Sequence, residues 1–550
     1  MSETDVEIRT KQLIDRLKAT CAQYGLGNDG NEYKIITEVF LYKYMNDMFG
    51  HEVKLKNDRL GHAAKWDEEY DSFSKDDEDW LFMSIEPGTP KLRHDHTIAH
   101  LVNASRRNDF ADIFDSTLLN IADLNADLFS MATAGKTQIT IFERLTTLIN
   151  EADQRNNFAA ALVSHLASFN FEDVFYKEKY DFFSTIFEYL IKDYNKDGGG
   201  KYAEYYTPRA VATIMARMLV PDNADLHSIT CYDPSAGSGT LLMALAHRIG
   251  EDRCTIYSQD ISQKSSQMLR LNLILNRLIP SIQNIVKGDT LLEPAHRESN
   301  GAIKHFDYIV SNPPFNLDFS DTRDKIATDT DRFFAGVPKA GGKDQSKMAI
   351  YLCFIQHILY SLTPQGKAAI VVPTGFITAS TGIAYKIRER IIENGWLRGV
   401  VSMPSNIFAT TGTNVSVLFI DKAHTADQSV ILMDASKLGE KQKIDGNQRT
   451  ILSQEDIEKI VGCFNEAKPE DDFSVVVSNQ QIREKRYSFS AGQYFDIKIN
   501  YVDITEEEFN RRIQNYQSTL AEQFEESHRL EKEILQQLNS LNFNTNGRHV

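Results

Sequence analysis

Cysteine is sparse in these 550 residues: Cys21, Cys231, Cys254, Cys353 and Cys463 are scattered and form no CxxC pair. A zinc ribbon and a disulfide framework are thereby excluded, and five free thiols in a reducing compartment are expected. Long apolar runs are missing too. No window reaches the roughly 18 uninterrupted apolar residues of a membrane span, and the opening "MSETDVEIRT" lacks an apolar signal core, so a cytoplasmic protein with no membrane partner is expected. Positive charge is also short, 60 Lys+Arg against 77 Asp+Glu for a net charge of -17. A chain of that sign does not grip a polyanion over its whole surface; phosphate contact must be local or borrowed from a partner. The densest acidic patch, "KDDEDW" at 75–80, is expected to be a solvated loop. The imidazoles of "RHDHTIAH" (His94, His96, His100) have no cysteine or catalytic frame beside them, so a helical surface is expected there and no metal site. No internal repeat or long low-complexity tract occurs.

What is present is enough apolar sequence for two to four domains. Residues 1–165 are expected to form a helical domain without strand rhythm: "NEYKIITEVFLYKYMNDMF" places Ile36, Val39, Phe40 and Met48 near a 3.6 period, and "FAAALVSHLASF" is similar. After "GGG" at 198–200 the chain alternates. Seven β-rich runs ("SITCYDP", "CTIYSQD", "NIVKGD", "FDYIVSN", "AAIVVPTG", "LRGVVSMPS", "NVSVLFIDK") are interleaved with helices such as "SQKSSQMLRLNLILNRL" and "AIYLCFIQHILYSL". That predicts an α/β domain over 166–475, a mostly parallel sheet covered on both faces, with ligands at the carboxyl ends of its strands. Residues 476–550 form a C-terminal segment. Its helix, 504 to about 541, carries Phe509, Ile513, Tyr516, Leu520, Phe524, Leu530, Ile534, Leu538 and Leu541 mostly three or four apart. It packs on its own domain or is offered to a partner subunit.

In "CYDPSAGSGTLLMAL", Asp233, Pro234, Ser235, Gly237, Ser238 and Gly239 occupy a strand-to-helix turn where small residues let the backbone approach a ligand. The turn is not a GxGxxG fingerprint. Its acid precedes the glycines, which suits a ligand bearing an amino group beside a carboxylate. Asp260 closes the next strand 27 positions on, near the spacing at which a carboxylate holds ribose hydroxyls, and Asp289 closes a third. Each alone reads as an ordinary cap; together they favour a nucleoside-containing ligand.

Glycine loop, two strand-end acids and the "SNPPF" tip, in that order, resemble the S-adenosylmethionine-dependent amino-methyltransferases of DNA. The resemblance implies a Rossmann-like methyltransferase core with a seven-stranded sheet. By it Asp233 and the Gly237/Gly239 turn hold the methionine moiety of S-adenosyl-L-methionine, Asp260 the ribose hydroxyls and Asp289 the adenine amino group. "GKYAEYYTPRAVATIMARML" is similar to the segment closing over the methionine end, implying contacts from Tyr206 and Thr207.

The tip "FDYIVSNPPFN" then has a chemical reading. An exocyclic amine is a poor nucleophile because its lone pair is delocalised into the ring. Acceptors on its two N–H groups pull the nitrogen toward tetrahedral geometry as charge develops. The Asn312 side-chain carbonyl and the Pro313 backbone carbonyl supply them, Pro313 and Pro314 make the turn rigid, and Phe315 stacks on a flipped base. The resemblance implies in-line transfer to N6 of adenine without a covalent intermediate; no cysteine lies in the tip for cytosine C5 chemistry.

The helical first part, "GTNVSVLFIDK" and "YSFSAGQYFDI" resemble the modification (M) subunit of type I restriction-modification systems over residues 8 to 540. Partners implied are double-stranded DNA, a specificity (S) subunit with two M per S, and a restriction (R) subunit in some assemblies. Two stretches depart from the pattern. The polar segment 316–347 is expected to be a mobile loop, and "SKMAIYLCF" leaves the base pocket beyond Phe315 unassigned. Lys386, Arg388 and Arg390 read first as a solvated helix face and second as phosphate contacts. A protein-glutamine or RNA methyltransferase, and a silent scaffold, are the alternatives. The target sequence is not encoded here.

Overall fold

The computed structural model describes residues 3–27, 30–133, 138–171, 186, 189, 207–222, 224–339, 347–408, 414–444, 447–495 and 504–540. Eleven strands form one sheet in the order β13 (Ser474–Val477), β10 (Val430–Asp434), β8 (Leu397–Ser402), β9 (Val415–Asp421), β7 (Leu362–Pro373), β6 (Phe306–Ser311), β3 (Ile229–Asp233), β4 (Cys254–Asp260), β5 (Ile285–Lys287), β1 (Met131–Thr133) and β2 (Gln138–Ile139). A separate ribbon pairs β11 (Glu440–Ile444) with β12 (Asn447–Ile451). The seven runs read from the sequence are the seven central strands, β8 to β5. Pairing is parallel from β7 through β6, β3 and β4 to β5, and β9 runs antiparallel between β7 and β8. From β3 the chain moves out to β4 and β5, then returns to the other side of β3 as β6. The order therefore reverses between β3 and β6, where crevices open in sheets of this kind.

Strand side chains alternate between two apolar clusters, as period-2 geometry requires. Along β7, Ala369 and Val371 face one cluster while Ala368, Ile370 and Val372 face the other. The first cluster is covered by the helices Arg209–Leu219, Thr240–Ile249, Gln263–Leu275 and Gln454–Asn465 together with residues of the N-terminal helices; the second by Tyr351–Ser361 and Gly382–Glu393. Both faces are closed to water, which explains why the central strands are apolar on both sides.

Three expectations need correction. The N-terminal part contains strands: β1 pairs in parallel with β5, Ala132 opposite Val286, so this hairpin occupies an edge that would otherwise offer unpaired backbone groups. "KDDEDW" is helical, within Lys75–Ser84, whose N-terminus carries a capping box between Ser74 and Asp77. Acids in a first turn complement the helix dipole, and the buried Glu78 pairs with Arg93 at 2.6 Å and with His94 Nδ1 at 2.9 Å. Arg388 lies on neither a solvated face nor a phosphate-facing one. It is fully buried and donates to the carbonyls of Phe376, Ala379 and Tyr487, while Arg390 stacks over the Phe334 ring at 4.2 Å.

Residues Met1–Phe495 form one compact unit and Asp496–Val550 another. The boundaries near 165 and 475 are proposed subdivisions of the first. In the second unit, the helix Glu506–Ser540 keeps Phe509, Tyr516, Leu520 and Phe524 at least half exposed. All five cysteines are free. Among the described residues no helix is long and apolar enough to cross a membrane.

Arg388→Met should lower the thermal midpoint by several degrees, because three buried carbonyls lose their donors at about 1 kcal/mol or more each. Polyanion affinity should not change. Calorimetry and a salt titration of binding separate the two; unchanged stability with weakened binding would restore the phosphate role.

Candidate functional site

The carboxyl ends of β6, β3, β4 and β5 form one rim, and the sequence places Asn312, Asp233, Asp260 and Asp289 at these four tips. The glycine turn is shaped by its backbone. Gly237 and Gly239 have positive φ of 52° and 82°, and a Cβ on Gly239 would meet Leu269 Cδ1 at 2.2 Å. A side chain there would be both strained and obstructed. Gly239 then opens the helix Thr240–Ile249, and the Gly237 N–H donates to Asp260 Oδ2 at 3.0 Å, tying the turn to the neighbouring strand tip. Ser262 N–H takes the other oxygen of Asp260 at 2.7 Å. Asp289 accepts from Leu291 N and Leu292 N at 2.9 and 3.0 Å. Thr290 Oγ1 donates to the Pro234 carbonyl at 2.7 Å, so the first and third tips are also fastened.

Asp233 is buried and accepts from Ser235 N at 2.9 Å, while Ser235 Oγ lies 2.8 Å from Ser311 Oγ at the end of β6. Burial pushes its carboxyl up to about 7; hydrogen bonds from Ser235 and Ser311 oppose the rise and the Asp260 charge adds to it. Burial also raises Asp260. A cationic ligand group beside this buried carboxyl would replace solvation that folding removed.

Asn312 Nδ2 donates to the buried Thr207 Oγ1 at 3.2 Å. The amide nitrogen is thus occupied and the carbonyl Oδ1 is the group left to accept. Phe315 is half-buried and meets Tyr351 edge-to-face, centroids 6.1 Å apart, and Tyr351 meets Phe376 in turn at 6.3 Å. Tyr351 comes from the "SKMAIYLCF" stretch whose residues the sequence leaves unassigned. Tyr206 lies outside the described residues.

A cavity of about 350 Å³ opens on this rim, lined among the expected residues by Pro234, Ser235, Asp260, Asp289 and Pro314. Asp233, Gly237, Ser238 and Gly239 do not line it, nor do Asn312, Pro313 and Phe315, which flank it on the adjoining tips. Its remaining walls were missed by sequence reasoning. Ile261 is 65% exposed although aliphatic, and its one signal is that it directly follows a strand-end acid. Phe319 and Ile326 come from the stretch expected to be a mobile polar loop. Instead residues 320–326 are helical, and Phe319, Ile326, Phe333 and Val337 pack with Leu291, Met348 and Phe354 in a cluster of their own. Arg332, almost fully buried, donates to the Leu291 carbonyl at 2.6 Å and pairs with Asp329 at 3.0 Å. Gln356 holds Ala335 N at 2.8 Å and the Gly336 carbonyl at 3.0 Å. The described part of the segment is therefore a fixed wall. Carboxylates for hydroxyls and apolar faces for a ring, in that volume, fit a nucleoside.

The N-6 DNA Methylase family model matches residues 178–501, more than half of the chain. The chain belongs to this family. It is 30% identical over 329 residues to the type I restriction enzyme MpnII methylase subunit of Mycoplasma pneumoniae, covering 58% of each chain. It is 26% identical over 378 residues to the MjaIX methylase subunit of Methanocaldococcus jannaschii, covering 66% of this chain and 64% of that one. The match thus spans less than two thirds of these relatives' own lengths. The type I restriction-modification methyltransferase subunit of Streptococcus thermophilus aligns with a TM-score of 0.69 at 22% identity, over 90% of this chain and 100% of that one. The core therefore has the fold of that methyltransferase subunit.

A carboxyl raised from its ordinary value makes the folded ligand-free chain bind a proton that the unfolded chain lacks between about pH 4 and 7. Asp233 therefore destabilises the fold above pH 7, and the penalty vanishes as pH falls to 4. Asp233→Asn should raise the ligand-free thermal midpoint at pH 8 and lose that advantage near pH 4. Scanning calorimetry at both pH values checks the sign; a midpoint lowered at pH 8 would contradict it.

Proposed function

We propose that this chain is the catalytic methylase subunit of a multisubunit type I modification complex, acting at N6 of a flipped adenine in double-stranded DNA. The observation that carries the reading is the Asn312–Thr207 hydrogen bond at a strand tip beside a nucleoside-sized, acid-lined cavity. S-adenosylmethionine, when bound, supplies an electrophilic methyl group on sulfonium. Asp233 would face its amino group, Asp260 the ribose hydroxyls, and Asp289 the adenine amine, with Ile261 and Phe319 against the ring faces. Asn312 Oδ1 and the Pro313 carbonyl would accept the two N–H groups of the target amine, and Phe315 would stack on the base. Target recognition would come from a specificity subunit, two methylase chains to one, and a restriction subunit would join some assemblies. The names of the Mycoplasma and Methanocaldococcus relatives support a type I role, and the net charge of -17 fits a chain that borrows much of its DNA contact. A cytoplasmic location follows from that role.

Asn312→Ala removes an acceptor engaged only as the amine pyramidalises. Turnover should fall about 10²-fold or more while the dissociation constant for S-adenosylmethionine stays within about twofold. Modification-sensitive sequencing of DNA from a host carrying this gene and its operon neighbours should show N6-methyladenine at a defined site, lost in the variant. A wild-type strain without the mark would send the search to glutamine side chains or RNA.

A further inference from the structure

The ribbon β11–β12 belongs to neither apolar cluster along its strands, and its chemistry differs from that of the rest of the chain. Lys437, Lys441 and Lys443 are exposed, Arg449 is partly exposed, and Glu440 is the sole carboxylate on the two strands. Among the described residues none of these four cations has an ion-pair partner. Three nearby surface cations, by contrast, are committed: Lys459 to Glu470 at 2.6 Å, Arg217 to Glu458 at 2.7 Å, Arg483 to Glu393 at 2.8 Å. Arg449 Nε is buried without a hydrogen-bond partner. Two residues apart on one strand, Lys441 and Lys443 share a face of the ribbon.

The ribbon's base is rigid and its place is defined. Thr450 Oγ1 donates to the Ser405 carbonyl at 2.6 Å and Thr450 N to the Asn406 carbonyl at 3.1 Å, which pins β12 to the loop leaving β8. Gly439, with φ +83°, approaches so closely that a Cβ would meet Thr450 Cγ2 at 2.7 Å. The strands β8 and β10 are parallel to each other, and antiparallel β9 separates β8 from β7, so β8, β10, β7 and the strands parallel to it all end on one rim. The ribbon therefore rises from the rim that carries Asn312. In the order β10-β8-β9-β7-β6 four spacings separate β10 from β6, about 19 Å at ~4.8 Å each. A duplex turns once in about 34 Å, so a base held at Asn312 leaves its own flanking backbone within reach of the ribbon.

We propose that β11–β12 is a DNA-backbone contact of this chain, Lys441 and Lys443 each neutralising a phosphate close to the flipped base. The proposal rests on the DNA-methylation reading and deepens it: a chain of net charge -17 still grips the duplex beside its own active site. An ordinary solvated ribbon predicts no effect of reversing these charges on duplex binding beyond long-range screening, and no change in its salt dependence.

The test uses the full-length chain co-expressed with its operon neighbours, a fluorescein-labelled random-sequence duplex, and salt varied between about 50 and 200 mM. Each phosphate contact contributes about 0.9 to the slope of log affinity against log salt. The double variant Lys441→Gln/Lys443→Gln should lose about two from that slope and bind the duplex about tenfold or more weakly at low salt. Its S-adenosylmethionine affinity and thermal midpoint should match wild type. A slope equal to that of wild type overturns the ribbon contact while leaving the methylation reading intact. If the wild-type assembly itself transfers no methyl group to host DNA, both fall together.

Discussion

The hydrogen bond from Gly237 N to Asp260 Oδ2 holds the glycine turn against the second strand tip, and the rest of the site depends on it. It uses one lone pair of one carboxylate oxygen, and Ser262 N uses one on the other, so a carboxylate with about four acceptor positions keeps two for a ligand. Asp260 is thus a brace and a receptor at once. Because β3 and β4 are in parallel register, Asp233 opposite Ser258, the brace fixes where the first acid points relative to the second. Thr290 repeats the device between the first and third tips. The rim is held by its own side-chain-to-backbone bonds, which keeps the cost of ordering the site on binding small.

Much of this was legible in the sequence, for a definable reason. The seven central strands are apolar runs bounded by turn residues, and burial on both faces forces that signature. The acids and the NPPF tip were readable because they end such runs. What was missed is made by tertiary contact. β1 and β2 are three and two residues long with no periodicity, and they are strands because β5 offers an edge. β10 and β13 extend the opposite edge and lie beyond the alternation of strand and helix. In 316–347 the apolar residues Phe319, Ile326, Phe333 and Val337 stand seven, seven and four apart, too thinly spread among polar residues, Gly and Pro to mark a helix or a strand, so the stretch reads as polar loop. Their packing on Leu291 makes it a wall.

Two arginines show the same limit from the other direction. Arg332 and Arg388 sit in polar sequence, and a cation there is expected in water. Both are buried because carbonyls that secondary structure leaves unpaired need donors: Leu291 in one case, Phe376, Ala379 and Tyr487 in the other. Each joins segments distant in sequence, Arg332 uniting the cavity wall with the turn after β5. Their charge serves the fold; the uncommitted charge of the ribbon is what is left for a partner.

The choice of an amide rather than an acid at position 312 follows from the same electrostatics. The Asp233 carboxyl, one strand away and connected through Ser235 and Ser311, is already raised by burial to about 7. A carboxylate at 312 would sit near that like charge, and on taking up a proton it would become a donor where the proposed methylation of an amine calls for an acceptor. The amide is neutral at every relevant pH. With Thr207 Oγ1 accepting from Nδ2, Oδ1 is directed elsewhere. An uncharged acceptor that costs little to bury is what a rim with two raised carboxyls can accommodate, and in the proposed reaction its bond to the amine would strengthen only as nitrogen charge develops.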